Sequence, residues 1–125
     1  LDHRTLRELF RYLQLFEALF ETEGVDTLPG PDGEEYCLWD IQALYHRRTE
    51  LSARQAEAIE MFLYDDMRER DVARLMGVSP VNPVAIYATQ GLKRLCLLYD
   101  EINRAGADEN DADEAPERSQ QGAGG

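Results

Sequence analysis

At 125 residues the chain has the length of one domain and can bury one modest core. Its formal charge of −12 and isoelectric point near 4.5 argue against a tight, unaided nucleic-acid binder, which needs a basic face to neutralise phosphates. No apolar run reaches the roughly 18 residues of a membrane span, so no membrane partner is expected.

Thr5 to about Glu23 reads as a helix, with Leu6, Leu9, Phe10, Leu13, Phe16 and Phe20 on one face. Tyr12, Leu15 and Leu19 widen that apolar arc, which predicts burial on more than one side. Either it is the central helix of the domain, or part of it docks on another protein or on a second copy as a homodimer. Gly24 ends it, and Pro29-Gly30-Pro31-Asp32-Gly33 marks a connecting loop that Val25 and Leu28 pin to the core. Tyr36 to about Arg48 reads as a second helix, started by Asp32 or Gly33, with Leu38, Ile41, Leu44 and Tyr45 inward and Trp39 beside them. Its Tyr36-Cys37-Leu38 end is equally consistent with a short strand. His46-Arg47-Arg48 places positive charge at a helix C-terminus, where the dipole favours it. A phosphate contact is the alternative role for that trio.

Leu51 to Leu95 reads as three helices joined by two short connections. Ser52 and Gln55 form a capping box, and Ala56, Ile59, Phe62 and Leu63 define one buried face. Asp66 is positioned to cap the next, short helix, whose inner face is Val72, Ala73 and Met76. Gly77 falls where the chain turns with positive φ. Asn82-Pro83 opens the last helix as N-cap and first helical residue, and Val84, Ala88, Leu92, Leu95 and Tyr99 form its inward stripe. Gly91 inside that helix predicts a close approach, since an interior glycine costs about 1 kcal/mol against alanine. The segment is electrically neutral. Arg54, Arg68, Arg70, Arg74, Lys93 and Arg94 balance Glu57, Glu60, Asp65, Asp66, Glu69 and Asp71.

From Arg104 the composition changes. Asp108, Glu109, Asp111, Asp113, Glu114 and Glu117 oppose only Arg118, which predicts a disordered acidic tail over 104–125. The tail is either a solubilising end or a competitor with DNA for the few cations. Cys37 and Cys96 show no metal-ligand spacing and read as two buried thiols. His3 and His46 lack partners, and no phosphate-cradling glycine loop is present, so neither enzymatic activity nor a cofactor is expected. No signal peptide is visible, and a cytoplasmic location is expected. The chain opens on Leu1, which leaves a truncated start and an unusual initiation codon both open.

Leu51-Ser52-x-Arg54-Gln55, Asp71-Val72-Ala73-x-x-Met76-Gly77-Val78-Ser79 and Gly91-Leu92-Lys93-Arg94-Leu95 together resemble region 4 of bacterial sigma factors. The run from Asn82 to Thr89 is also similar to small sigma-like proteins encoded by phages of actinobacteria. The resemblance spans Leu51 to Leu95 only. It departs at Pro80-Val81-Asn82-Pro83, one residue longer than the usual turn, and in lacking basic residues midway along the last helix. The resemblance implies a helix-turn-helix domain over 51–103. With the helical spacing before it and the acidic composition after it, an all-α protein in three parts is expected, with an N-terminal helical extension over 1–50 and the acidic tail.

It also implies a sigma-like transcription regulator that touches DNA weakly and acts with RNA polymerase, in the host cytoplasm if phage-encoded. A recognition helix offers its first turns to the major groove. Asn82, Ile86, Thr89, Gln90, Lys93 and Arg94 are then the candidate groove contacts, with Ala85 beside them, and Arg68, Arg70 and Arg74 the candidate phosphate contacts. Gln90 has the amide that pairs with adenine, Thr89 can donate or accept, and Ile86 can meet a thymine methyl. The competing reading is a protein-interaction module that binds polymerase, a sigma factor or a phage assembly partner without reading bases. A terminase-like packaging adaptor is more distant.

Overall fold

The computed structural model describes residues 1–78 and 82–118, with backbone alone at Asn82 and over 106–118. It is mostly helical. In chain order come α1 (His3–Glu23), a hairpin of β1 (Thr27–Pro29) and β2 (Glu35–Cys37), α2 (Leu38–His46), and a 3-10 turn (Arg47–Glu50). Then follow α3 (Ala53–Ala58), a π-helical segment (Ile59–Tyr64), α4 (Glu69–Met76) and α5 (Asn82–Arg118). Among the described residues no helix is long and apolar enough to cross a membrane.

α1 begins two residues before Thr5 because Asp2 caps it, its carboxylate accepting the Thr5 N–H at 2.8 Å. That bond holds the Asp2 carboxyl below its usual range. Gly24 closes the helix, its N–H donating to the Phe20 carbonyl at 2.9 Å. Leu6, Leu9, Phe10 and Leu13 are fully buried against Ile41 and Leu44 of α2, Ile59 and Leu63, and Leu92 and Leu95 of α5. Each such side chain contributes about 1.5–3 kcal/mol by leaving water. The widened arc of α1 is not buried throughout: Tyr12 and Leu15 are 52% and 54% exposed. Their arc is wider than the single layer of neighbours that α1 has.

The hairpin is the main departure from an all-helical reading of the first fifty residues. Thr27, Leu28 and Pro29 pair antiparallel with Cys37, Tyr36 and Glu35. Leu28 is buried between exposed or half-exposed neighbours, a period-two signal over three residues, too short to read from sequence alone. The proline-glycine turn is stiffened by Asp32, which accepts from the Glu34 N–H at 3.2 Å and the Tyr36 hydroxyl at 2.6 Å. The strand alternative at Tyr36-Cys37 is therefore the one adopted, and α2 starts at Leu38 rather than at Asp32 or Gly33. Cys37 is exposed, so only Cys96 of the two thiols is buried; burial pushes the Cys96 thiol up to about 11.

At the end of α2, Arg48 donates to the Tyr45 carbonyl at 3.1 Å, the capping role expected for the basic trio. Its guanidinium also lies 4.0 Å over the Tyr45 ring, which stacks on Tyr64. The Ser52–Gln55 capping box is formed in both directions, at 3.2 and 3.4 Å. The wider turns that follow bury Ile59 and Leu63 and swing Tyr64 towards α1. There the Tyr64 hydroxyl donates to Glu17 at 2.6 Å, and Gln42 donates to the other Glu17 oxygen at 2.7 Å. One carboxylate thus ties α1, α2 and the π-helical segment together.

Asp66 does not cap α4. It sits in the left-handed region at φ 55°, 3.7 Å from Arg11, while Arg68 occupies the N-cap position with no side-chain bond to the helix backbone. α4 starts at Glu69, two residues later than a cap at Asp66 requires. Val72 and Ala73 of α4 meet Val84 of α5 in a second, smaller core with Met61, Phe62, Met67, Met76 and Val78 around it. Gly77 ends α4 at φ 68°, a conformation L-residues disfavour. Val84, Ala88, Leu92 and Leu95 are all buried and Tyr99 half-buried, as the stripe predicts.

Gly91 lies where α5 crosses the start of α3. A Cβ there would sit 2.7 Å from Ile59 Cδ1, 3.2 Å from Leu51 Cδ1 and 3.3 Å from Gln55 Cβ. α5 then runs on to Arg118, with only its helical backbone described over 106–118. Residues 119–125 lie outside the described residues.

Candidate functional site

α5 has two faces with different tasks. Its inner stripe is fixed by both cores, which forces the residues one step round the helix outward. Ala85, Ile86, Thr89, Gln90 and Lys93 line one shallow, open concavity on that outer face. Ile86, Gln90 and Lys93 are exposed, Thr89 is half-buried, and the spacing of three and four residues stacks them along the helix. Arg94 is exposed at the edge of this stripe and lies towards Glu50. Glu50 is held below its usual carboxylate range chiefly by its bond from Arg47, with Arg94 adding to it. The Asn82 side chain lies outside the described residues, as does the turn at 79–81.

α4 does not join this stripe as freely as its three arginines suggested. Asp71, in the first turn of α4, takes Arg68 at 3.3 Å and also a close bond from Arg74. Both guanidinium groups remain well exposed, so these are weak surface pairs worth at most about 1 kcal/mol. Their charge is nevertheless opposed by a carboxylate a few ångströms away. Arg70 is exposed and has no ion pair among the described residues. Leu75 projects from α4 at 65% exposure.

One residue at this site escaped the reading of the sequence. Arg7 of α1 donates to the Thr89 hydroxyl at 3.1 Å, across 82 positions of chain. No linear window joins α1 to α5, so the contact itself was invisible. A partial signal existed in Arg4, Arg7 and Arg11, spaced three and four residues apart beside the buried Leu6–Phe10 face. Arg11 is occupied by Phe62, over whose ring it lies at 5.2 Å, and by Asp66. Arg54 of α3 lies 5.8 Å from the ring of Tyr87 on the neighbouring flank of α5.

Elsewhere, a cleft between α2 and α5 is lined by Asp40, Leu44, Arg47, Tyr99, Ile102 and Asn103. Phe20 and Trp39 meet edge to face at 4.7 Å beside a second shallow groove. Among the described residues, no group of three or more His, Cys, Asp or Glu side chains is arranged to hold a metal ion. In comparisons with known proteins, no family model, no curated protein and no solved structure matches the chain.

Proposed function

We propose that α4, the turn after Gly77 and α5 form a sigma region 4-like helix-turn-helix, and that the chain is a transcription regulator. It touches DNA weakly through α5 and acts together with bacterial RNA polymerase. The observation that carries this reading is the outward stripe of Ile86, Thr89, Gln90 and Lys93, opposite an inner face that is fully packed. Those four side chains supply an apolar contact, a hydroxyl, an amide and a cation on consecutive turns, the kinds of group that read base edges and an adjoining phosphate. The sequence resemblance over Leu51 to Leu95 supports the same assignment.

Two observations favour a second reading, a protein-interaction module of the same fold. Arg68 and Arg74 are matched by Asp71, and Tyr12 and Leu15 leave an apolar flank of α1 open. That flank suits a polymerase or sigma-factor surface, a phage assembly partner or a second copy of the chain. Selection from a randomised duplex pool, with and without polymerase, separates the readings. Enrichment of a sequence that the Gln90→Ala chain fails to enrich supports base reading. Polymerase capture that survives nuclease, with no enrichment, supports the interaction module.

A further inference from the structure

We infer that Arg7, on α1, is a phosphate contact of the interface formed by α5, an inference that rests on the DNA-binding reading proposed above. The chain has 25 acidic side chains against 13 lysines and arginines, and five of those cations find a carboxylate among the described residues. Arg11, Arg47, Arg48, Arg68 and Arg74 all do. Arg7 does not: among the described residues its side chain has one hydrogen bond, to the uncharged hydroxyl of Thr89, and no ion pair. It is half-buried, which stiffens it and leaves most of its five N–H donors to be satisfied by something else.

The planar guanidinium fork matches a phosphodiester, and a charge-assisted pair to an anion is about twice as strong as a neutral hydrogen bond. Thr89 belongs to the outward stripe, so the bond brings the Arg7 guanidinium to that face of α5. Arg4, exposed and one turn earlier on the same side of α1, extends the cationic edge. α1 is then more than a brace for α5. It supplies the cation that the middle of α5 lacks, and Arg7 joins the phosphate contacts that the resemblance assigns to Arg68, Arg70 and Arg74.

A purely structural role, fastening α1 to α5 through Thr89, would alter stability but not the number of phosphates neutralised. The test is a salt titration of a labelled random-sequence duplex by the full chain, with bacterial polymerase absent and present, and melting curves in parallel. Arg7→Gln is expected to weaken binding and to reduce the slope of log affinity against log salt by about 0.9, the loss of one phosphate contact. Arg7→Lys is expected to keep the parent slope. Arg7→Met keeps the apolar stem and is read the same way if the glutamine variant melts early. A parent that binds, with an unchanged slope in the Gln and Met variants, overturns the assignment of Arg7 and leaves the DNA reading intact. A parent that binds no duplex in either setting overturns both.

Discussion

α4 and α5 sit side by side on the second core, yet they offer solvent opposite things. α4 carries three arginines and looks, in a count of charges, like the cationic element. Two of the three share the single carboxylate of Asp71, so half of the charge they bring is opposed at close range. α5 has a single lysine within its outward stripe, but that stripe is free of carboxylates and borrows Arg7 from α1. Available charge is therefore set by what each cation faces, not by how many a helix carries. An acidic chain can keep a usable patch if its acids are placed elsewhere.

The contrast depends on α5 being held with its inner face down, and Gly91 is the tightest point of that hold. Gly91→Leu must push Ile59 and Leu51 out of contact, and overpacking of this kind costs about 3 kcal/mol. Its melting temperature is expected to fall more than that of any surface variant discussed here. A Gly91→Leu chain as stable as its parent would mean that α5 is not clamped and that its two faces are not fixed.

The next largest effect separates the two helices directly. Gln90→Ala with Lys93→Ala is expected to abolish duplex binding, whereas Arg68→Gln with Arg74→Gln should weaken it by a smaller factor. Equal losses from both pairs, measured by anisotropy in one buffer, would erase the distinction between α4 and α5. Asp71→Asn sharpens it from the other side. Removing the carboxylate frees both α4 arginines, so duplex affinity at low salt should rise severalfold and the rise should vanish at high salt. The same change removes a favourable first-turn charge, at about 0.3–1 kcal/mol of helix stability.

Much of the 51–95 architecture was legible because its signals are local. Capping at Ser52, the turn at Gly77 and the inward stripe of α5 each lie within one turn or one period. The hairpin was not, since three paired residues carry too little alternation and the strands are stapled by Asp32 and Tyr36 from within the turn. Asp66 misled because a capping residue and a left-handed turn residue share the same short polar side chain. At the candidate site, the α5 stripe followed from periodicity alone. The pairing of Asp71 with Arg68 and Arg74 was implicit in i,i+3 spacing, and the bond between Arg7 and Thr89 depended on tertiary packing.

The smallest effect concerns the thiols, and it checks the packing of α5 independently of DNA. Cys37 is expected to be alkylated promptly in the folded chain, and Cys96 to resist until the pH approaches about 11. Because the Cys96 thiol is raised from 9.0, its contribution to stability is complete below that pH. It is lost as pH rises through the folded value, where only the unfolded chain gains from ionisation. Mass spectrometry of the modified protein reads this site by site. Equal rates at the two cysteines would contradict the buried side of α5.

A small cationic patch on α5 and α1 is proposed to meet DNA despite the acidic remainder of the chain. Deleting the residues after Ala107 tests it most directly, because this removes Asp108, Glu109, Asp111, Asp113, Glu114 and Glu117 without touching either core. In a salt titration of duplex binding, with and without polymerase, the shortened chain is expected to bind more tightly than the parent at low salt. The two should converge as screening grows. A shortened chain with no duplex affinity in either setting would contradict the account and leave the protein-interaction reading in its place.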